Sequence, residues 1–251
     1  MSSRDNSLLS LSPGEWLKYR LIPGRWYAWF HARRNLRWGE RELAYLPHLV
    51  DPDRGAIDVG ANKGVYSYFL ARLCPSVVAF EPNPKLIPVL RRCVASNVRV
   101  EPVALSNHRG EVEMRLPRTA RGVSNQLGTL RRTESFPDYV TINVQAARLD
   151  DYHFDNIGFM KIDVEGHELE VLEGGRETIA RCRPTLLLEL EQKHLGYPVT
   201  RAIAAVEAYG YEGYVLAADG LKSVRRFDPD REYRKNVAPR DYIYNFIFLP
   251  R

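Results

Sequence analysis

Two groups of residues carry side chains and spacing suited to chemistry. The first is Asp58, Gly60, Gly64 and Glu81; the second is Lys161, Asp163, Glu165, His167 and Glu168. In the first group, the two glycines bracket a turn where the missing β-carbons let the backbone swing sharply and a ligand lie against the main chain. The first amides of the following helix then face that ligand. Glu81, at the carboxyl end of the next strand, can accept hydrogen bonds from both hydroxyls of a ribose. An adenosine-type ligand is implied. In the second group, carboxylates and an imidazole cluster where a base could take a proton from a substrate hydroxyl, a task worth roughly 10² to 10⁴ in rate.

The kind of adenosine ligand turns on glycine spacing and on Asp58. A dinucleotide site wants G-x-G-x-x-G so that a pyrophosphate can approach the backbone, and this turn lacks the third glycine. Asp58 would also set a carboxylate close to those phosphates, which argues against a nicotinamide-dependent oxidoreductase. A cationic tail, such as the sulfonium and amino group of S-adenosylmethionine, suits Asp58 better. The plainer alternative is a strand, turn and helix in which Asp58 is only a turn or cap residue.

These segments carry a family resemblance. DVGANKG (58 to 64), FEPNP (80 to 84), VALS (103 to 106) and KIDVEGHE (161 to 168) stand in the order and approximate spacing of the FkbM-type S-adenosylmethionine-dependent methyltransferases, which the chain resembles from about Asp53 to Pro250. KIDVEG is the specific part, since the glycine turn and FEPNP recur across many methyltransferases. The resemblance implies O-methylation of a hydroxyl on a sugar, glycan or natural product. It points to Asp58, Gly60, Asn62, Gly64, Glu81 and Ala104 as cofactor contacts. An N-methyltransferase and a catalytically silent S-adenosylmethionine-binding module are the alternatives.

Within the second group, His167 titrates in the right range for a base. Asp163 with Glu165 is the competing choice, as base or as the pair that orients the acceptor. Lys161 is a further candidate, and could equally pair with these acids for structural reasons. No metal is expected, because Asp163-x-Glu165 supplies too few oxygen ligands and Glu189 is a weak third.

The elements that must position these residues alternate strand and helix. Buried strands are predicted at Ala56 to Val59, Val77 to Phe80, Val98 to Leu105, Gly158 to Ile162 and Thr185 to Leu190, with later ones at Tyr211 to Leu216 and Tyr242 to Leu249. Helices are predicted at Val65 to Leu73, after Asn83-Pro84 with a bend at Pro88 unless the helix starts nearer Pro88, after KIDVEG, and at Thr200 to Tyr209. The expected fold is α/β: a doubly wound, mostly parallel Rossmann-like sheet of about seven strands. Asp58, Glu81, Ala104, Asp163 and Glu189 then fall at carboxyl strand ends, where such sheets bind ligands.

Residues 51–251 would form this domain. Within it, 111–144 interrupts the alternation with two half-exposed strands, Glu111 to Leu116 and Tyr139 to Val144. They flank a long loop, Pro117 to Asp138, rich in Arg118, Arg121, Arg131 and Arg132, with Ser124, Asn125 and Gln126, expected either to cover an acceptor or to be a plain solvated loop. Residues 1–50 form a helical appendage that holds all four tryptophans among several arginines. Ser12-Pro13-Gly14-Glu15 is a capping box, predicting one helix up to Pro23-Gly24 and another from Arg25 to Arg37. Such helices are expected to cap the main domain or to form a homodimer contact. The alternative is a membrane-surface contact through residues 12–38.

Lys+Arg 36 against Asp+Glu 31 leaves a net charge of +5, which favours an anionic acceptor or partner without identifying it. No basic helix, zinc spacing or RNA-binding aromatic signature points to nucleic acid. Cys74, Cys93 and Cys182 lack the pairing or CxxC spacing of a disulfide framework or zinc site. Without a signal-like or membrane-length apolar run, a cytoplasmic location is expected.

Overall fold

The computed structural model describes residues 13–119, 122–123, 128–130, 138–217, 220–228 and 242–251. Arg121, Ser124, Asn125, Gln126, Arg131 and Arg132 of the arginine-rich loop, and Ser12 of the capping box, lie outside them. The chain opens with α1 (Pro13–Leu21), α2 (Gly24–Trp38) and α3 (Glu42–Tyr45). It then alternates through β1 (Gly55–Val59), α4 (Val65–Leu73), β2 (Val77–Phe80), α5 (Ile87–Cys93) and β3 (Val98–Glu101). An excursion follows, with β4 (Ala104–Leu105), β5 (Gly110–Thr119), β6 (Gly122–Val123) and β7 (Tyr139–Ala147). The alternation resumes with β8 (Ile157–Ile162), α6 (Glu168–Gly174), α7 (Arg176–Cys182), β9 (Thr185–Glu189), α8 (Gln192–Leu195) and α9 (Val199–Glu207). It closes with β10 (Tyr211–Ala217), β11 (Gly220–Ser223) and β12 (Asn245–Pro250).

The main sheet has the strand order β11-β10-β12-β9-β8-β1-β2-β3. From β3 across to β9 the pairs are parallel, and β12 then runs antiparallel between β9 and β10. Every residue of β1 and β8 is buried, as expected of central strands covered on both faces. Alternate side chains feed two cores. Ile57, Phe80, Met160, Leu186 and Phe248 pack toward α6, α7 and α9, while Ala56, Val77, Phe159, Leu187 and Ile247 pack toward Leu70 of α4 and Leu46. The chain builds outward from β1 to β3 and returns to β8 on the other side of β1. The β1/β8 boundary is therefore the point where strand order reverses, and a crevice opens beyond it.

Three expectations change. Val98 to Leu105 is two strands, because Pro102 has no amide to continue the ladder; β4 instead pairs with β7 in a second sheet of order β4-β7-β5-β6. Ala104 thus reaches the crevice from that second sheet. Asn83 does not cap a long helix: its Oδ1 accepts from the Lys85 amide at 3.0 Å in a separate turn. α5 takes the later of the two expected starts, at Ile87, with Pro88 in its first turn, where a missing amide costs no helical hydrogen bond. An additional strand, β11, lies at the sheet edge.

α2 packs its Tyr27 and Ala28 on Val89 and Cys93 of α5 and on Tyr68 of α4. Its opposite side remains exposed. All three cysteines are buried free thiols, and burial pushes those of Cys74 and Cys93 up to about 11.

Candidate active site

The turn after β1 is held by glycines with a steric reason. Gly60 has φ +80, and a β-carbon there would lie 1.8 Å from the carbonyl oxygen of Asp163, so only glycine lets the ends of β1 and β8 meet this closely. Its amide and that of Ala61 both donate to the Phe80 carbonyl at 3.0 Å, which ties the turn to β2. Gly64, also at φ +80, ends the turn directly before α4, against Leu90 of α5. Between them Asn62 holds φ +51, and its amide donates to Glu81 Oε2 at 2.7 Å.

Glu81 is 4% exposed, and its Oε1 accepts from the Asn83 amide at 2.8 Å. Each carboxylate oxygen has about two lone-pair sites, so each retains capacity for one further donor. Burial pushes this carboxyl up to about 7, against the pull of the two amides. Glu81 lines a cavity whose floor is Gly60 and Asn62. Val103, Ala104, Met114 and Leu130 form an apolar wall suited to a flat purine ring.

A second cavity shares Gly60, Asn62 and Asp163 with the first and extends it to the other side of β1. It is lined by Asp58, Tyr66 and Lys161, and by His31, Asn35 and Glu40 from the N-terminal segment. Asp58 is 2% exposed; Ser67 Oγ donates to its Oδ2 at 2.6 Å, and burial pushes the carboxyl up to about 6. Register pairs Asp58 with Lys161 across the β1/β8 boundary. The Lys161 ammonium lies 3.6 Å from Asp163 Oδ2, 3.9 Å from Glu189 Oε2 and 3.4 Å from Asn245 Oδ1. Its burial opposes the charge, but the carboxylates of Asp163, Glu40, Glu189 and Asp58 outweigh that and hold it protonated above its ordinary range. Burial and the neighbouring Asp163 push the Glu189 carboxyl well up. Glu40 accepts from Tyr66 Oη and from Asn245 Nδ2, the latter at 2.8 Å. Among the described residues no group of three or more His, Cys, Asp or Glu is arranged to hold a metal ion; the cation inside this acidic cluster is Lys161.

The KIDVEG segment folds back on itself. The Asp163 amide donates to the Val59 carbonyl at 3.0 Å, and Glu168 Oε1 accepts from the Gly166 and Val164 amides at 2.9 and 3.3 Å. Glu165 sits at φ +54, unusual for a residue with a side chain. Two neighbours hold it there. Thr129 Oγ1 donates to its carbonyl at 2.8 Å, and its Oε2 meets His194 Nε2 at 2.9 Å, itself 3.2 Å from Glu191. Burial alone would lower the His194 pKa, yet the bonds to Glu165 and Glu191 prevail and raise it to about 9, so the ring is charged at neutral pH.

The structure therefore separates the residues grouped by sequence. Asp163 and Glu165 line the crevice; Lys161 is buried beside Asp163 as its counter-charge and, held protonated, cannot serve as a base. His167 lines neither cavity: its Nε2 lies 3.0 Å from Ser106 Oγ and its Nδ1 3.7 Å from Glu170, a setting that fastens β4 to the start of α6. Glu40, Tyr66, Asn245 and His194 were not singled out by sequence. Asn245, a lone amide opening an apolar strand, offered a signal; Glu40 offered none.

An S-adenosyl group fits these residues. Two buried acids stand on adjacent strands, Glu81 with free acceptor capacity beside an apolar slot and Asp58 in the acidic compartment where a sulfonium and an ammonium would be stabilised. Known proteins agree. 2-O-methyltransferase NoeI of Sinorhizobium fredii is 27% identical over 153 residues, covering 54% of this chain and 63% of that protein. Methyltransferase sdnD of Sordaria araneosa is 31% identical over 152 residues, 47% of this chain and 59% of that protein. The chain thus spans less than two thirds of the length of either relative. The crystal structure of an FkbM methyltransferase from Methylobacillus flagellatus superposes with a TM-score of 0.50 at 15% identity, over 86% of this chain and 52% of that one, which shows a shared fold. The family model described as Methyltransferase FkbM domain matches residues 58–213, more than half of the chain, and so the chain belongs to the FkbM methyltransferases, whose methyl donor is S-adenosylmethionine.

Proposed function

We propose that the protein methylates a hydroxyl oxygen on a sugar, glycan or natural-product acceptor, with Asp163 receiving or orienting the hydroxyl proton. The observation that carries this reading is the position of Asp163. Among the described residues it is the one side chain with a carboxylate that lines both cavities, and it keeps a partly exposed face while Lys161 holds it from behind at 3.6 Å. A carboxylate so placed accepts a hydrogen bond from a hydroxyl entering the crevice and draws its proton as the oxygen becomes nucleophilic. Lys161 holds that carboxylate in place. Glu165, clamped by Thr129 and His194, lines the first cavity beside Asp163.

When bound, the cofactor supplies an electrophilic methyl on a positively charged sulfur. The protein supplies alignment, and positioning of this kind is worth on the order of 7 to 11 kcal/mol. The relative named as a 2-O-methyltransferase supports oxygen as the acceptor atom.

The test is release of S-adenosylhomocysteine on adding hydroxylated acceptors, with the methylated atom located by mass spectrometry. Methyl appearing only on amines would make the protein an N-methyltransferase. Binding of S-adenosylhomocysteine without turnover on any acceptor would support a silent binding module.

A further inference from the structure

Eight of the nine exposed large hydrophobic side chains among the described residues fall between Leu17 and Trp38. That concentration is not a by-product of packing. α2 turns Tyr27, Ala28 and Ala32 inward at helical spacing, so its outward line is Trp26, Trp29, Phe30, Arg33 and Arg37, one continuous face at i, i+3, i+4, i+7 and i+11. Trp26, Phe30 and Trp38 are 69%, 62% and 77% exposed, and Leu17 and Leu21 of α1 extend the apolar surface. Contiguous exposed apolar surface of this sort marks a contact with something else.

The charges on the same helix identify what. α2 carries Arg25, Arg33, Arg34 and Arg37 and no acidic residue. The Arg33 guanidinium lies 5.2 Å from the Trp29 ring centre, and that of Arg37 lies 5.1 Å from the Trp38 ring centre. A second copy applying this face to itself through a twofold axis would set arginines against arginines without acids to answer them. An anionic lipid surface answers them all, and it offers an interface where tryptophan rings sit at headgroup depth while arginines reach the phosphates. The face also runs into a groove between α2, α4 and α5 lined by Arg25, Trp26, Trp29, Tyr68 and Arg72, which adds a further guanidinium and aromatic wall.

We propose that the outward face of α1 and α2 docks the protein onto an anionic membrane surface. It does so as a peripheral contact, since no described helix is long and apolar enough to cross a membrane. On the opposite side of α2, His31 and Asn35 line the cavity that holds Asp58 and Lys161. Lipid and crevice then lie on two sides of one helix, roughly 10 Å thick, and acceptors presented at the membrane surface are brought within reach.

The test uses the full chain with vesicles of phosphatidylcholine alone and of phosphatidylcholine mixed with phosphatidylglycerol. Binding by flotation is expected to the mixed vesicles only, to weaken with added salt, and to shift tryptophan emission to the blue. Arg33→Gln and Arg37→Gln should each lower binding on the order of fivefold, and Trp26→Ala with Phe30→Ala should lower it further. All four should leave S-adenosylhomocysteine affinity and melting temperature unchanged, which separates a docking defect from misfolding and from any failure of the catalytic reading. Equal binding to both vesicle types, binding to neither, or a concentration-dependent dimer that buries Trp26 in place of lipid would overturn the proposal.

Discussion

Glu81 gives the sharpest test of the cofactor site, because its two oxygens already serve the protein. The amides of Asn62 and Asn83 occupy one acceptor position on each oxygen, at 2.7 and 2.8 Å, leaving the others for ribose hydroxyls. Glu81→Ala removes hydrogen bonds to a charged acceptor worth about 1.5 to 3 kcal/mol, so S-adenosylhomocysteine should bind roughly 10- to 150-fold more weakly by titration calorimetry. Melting temperature is a poor readout, since two effects oppose. The variant leaves two turn amides unpaired, yet it also removes a buried charge. A carboxyl held at about 7 against an ordinary 4.5 keeps its proton in the fold across that window. Its ionisation therefore costs the cofactor-free fold roughly 3 kcal/mol as pH rises from 4.5 through 7, and that cost is absent in acid. Binding has the opposite sign: ribose hydroxyls donate to the ionised form, so affinity falls as pH drops through about 7. From about pH 8 to pH 6 the loss approaches tenfold. Asp58, at about 6, adds a second loss below that pH. Glu81→Gln should flatten the profile above about pH 6. An unchanged Kd in Glu81→Ala, or a wild-type Kd that is flat across this range, would refute the assignment of Glu81 to the ribose.

Other residues yield contrasting outcomes. Gly60→Ala would drive a β-carbon to 1.8 Å from the Asp163 carbonyl at φ +80, so S-adenosylhomocysteine binding should be lost and thermal denaturation should show a lowered midpoint; wild-type behaviour would contradict the close approach of β1 and β8. Lys161→Met leaves Asp163 and Glu189 without their buried counter-charge and should cost about 3 to 5 kcal/mol in urea unfolding. A variant as stable as the parent would show that the cluster is not held by this ammonium. Asp163→Asn should lower turnover by about 10² or more while S-adenosylhomocysteine affinity stays nearly intact. His167→Ala should do the reverse, keeping turnover while unfolding earlier in urea by about 1 to 2 kcal/mol as Ser106 loses its partner across the β4–α6 junction and keeps only Asn107 and His108 beside it. Collapse of turnover in His167→Ala with stability intact would return the histidine to the reaction.

Much of this protein is determined locally and is readable in order along the chain. The glycine turn, the acid at the end of β2, the apolar central strands and the KIDVEG segment each owe their conformation to residues a few positions apart, through φ-permissive glycines, strand burial and short hydrogen-bonded turns. Those features suffice for the fold class, the cofactor and the family. What the sequence leaves open is decided by contacts between distant segments. Pro102 is visible as a strand breaker, but only the pairing of β4 with β7 carries Ala104 into the second sheet and onto the purine wall. Asp163 and His167 are four residues apart in sequence with similar chemical claims. The reversal of strand order at β1/β8 puts the first in the crevice, and the fold of the following turn puts the second against Ser106. Glu40, Tyr66 and Asn245 meet around Lys161 from three distant parts of the chain. No local pattern specifies that meeting, because a buried ammonium selects its partners by where the sheet and the N-terminal helices deliver carboxylates.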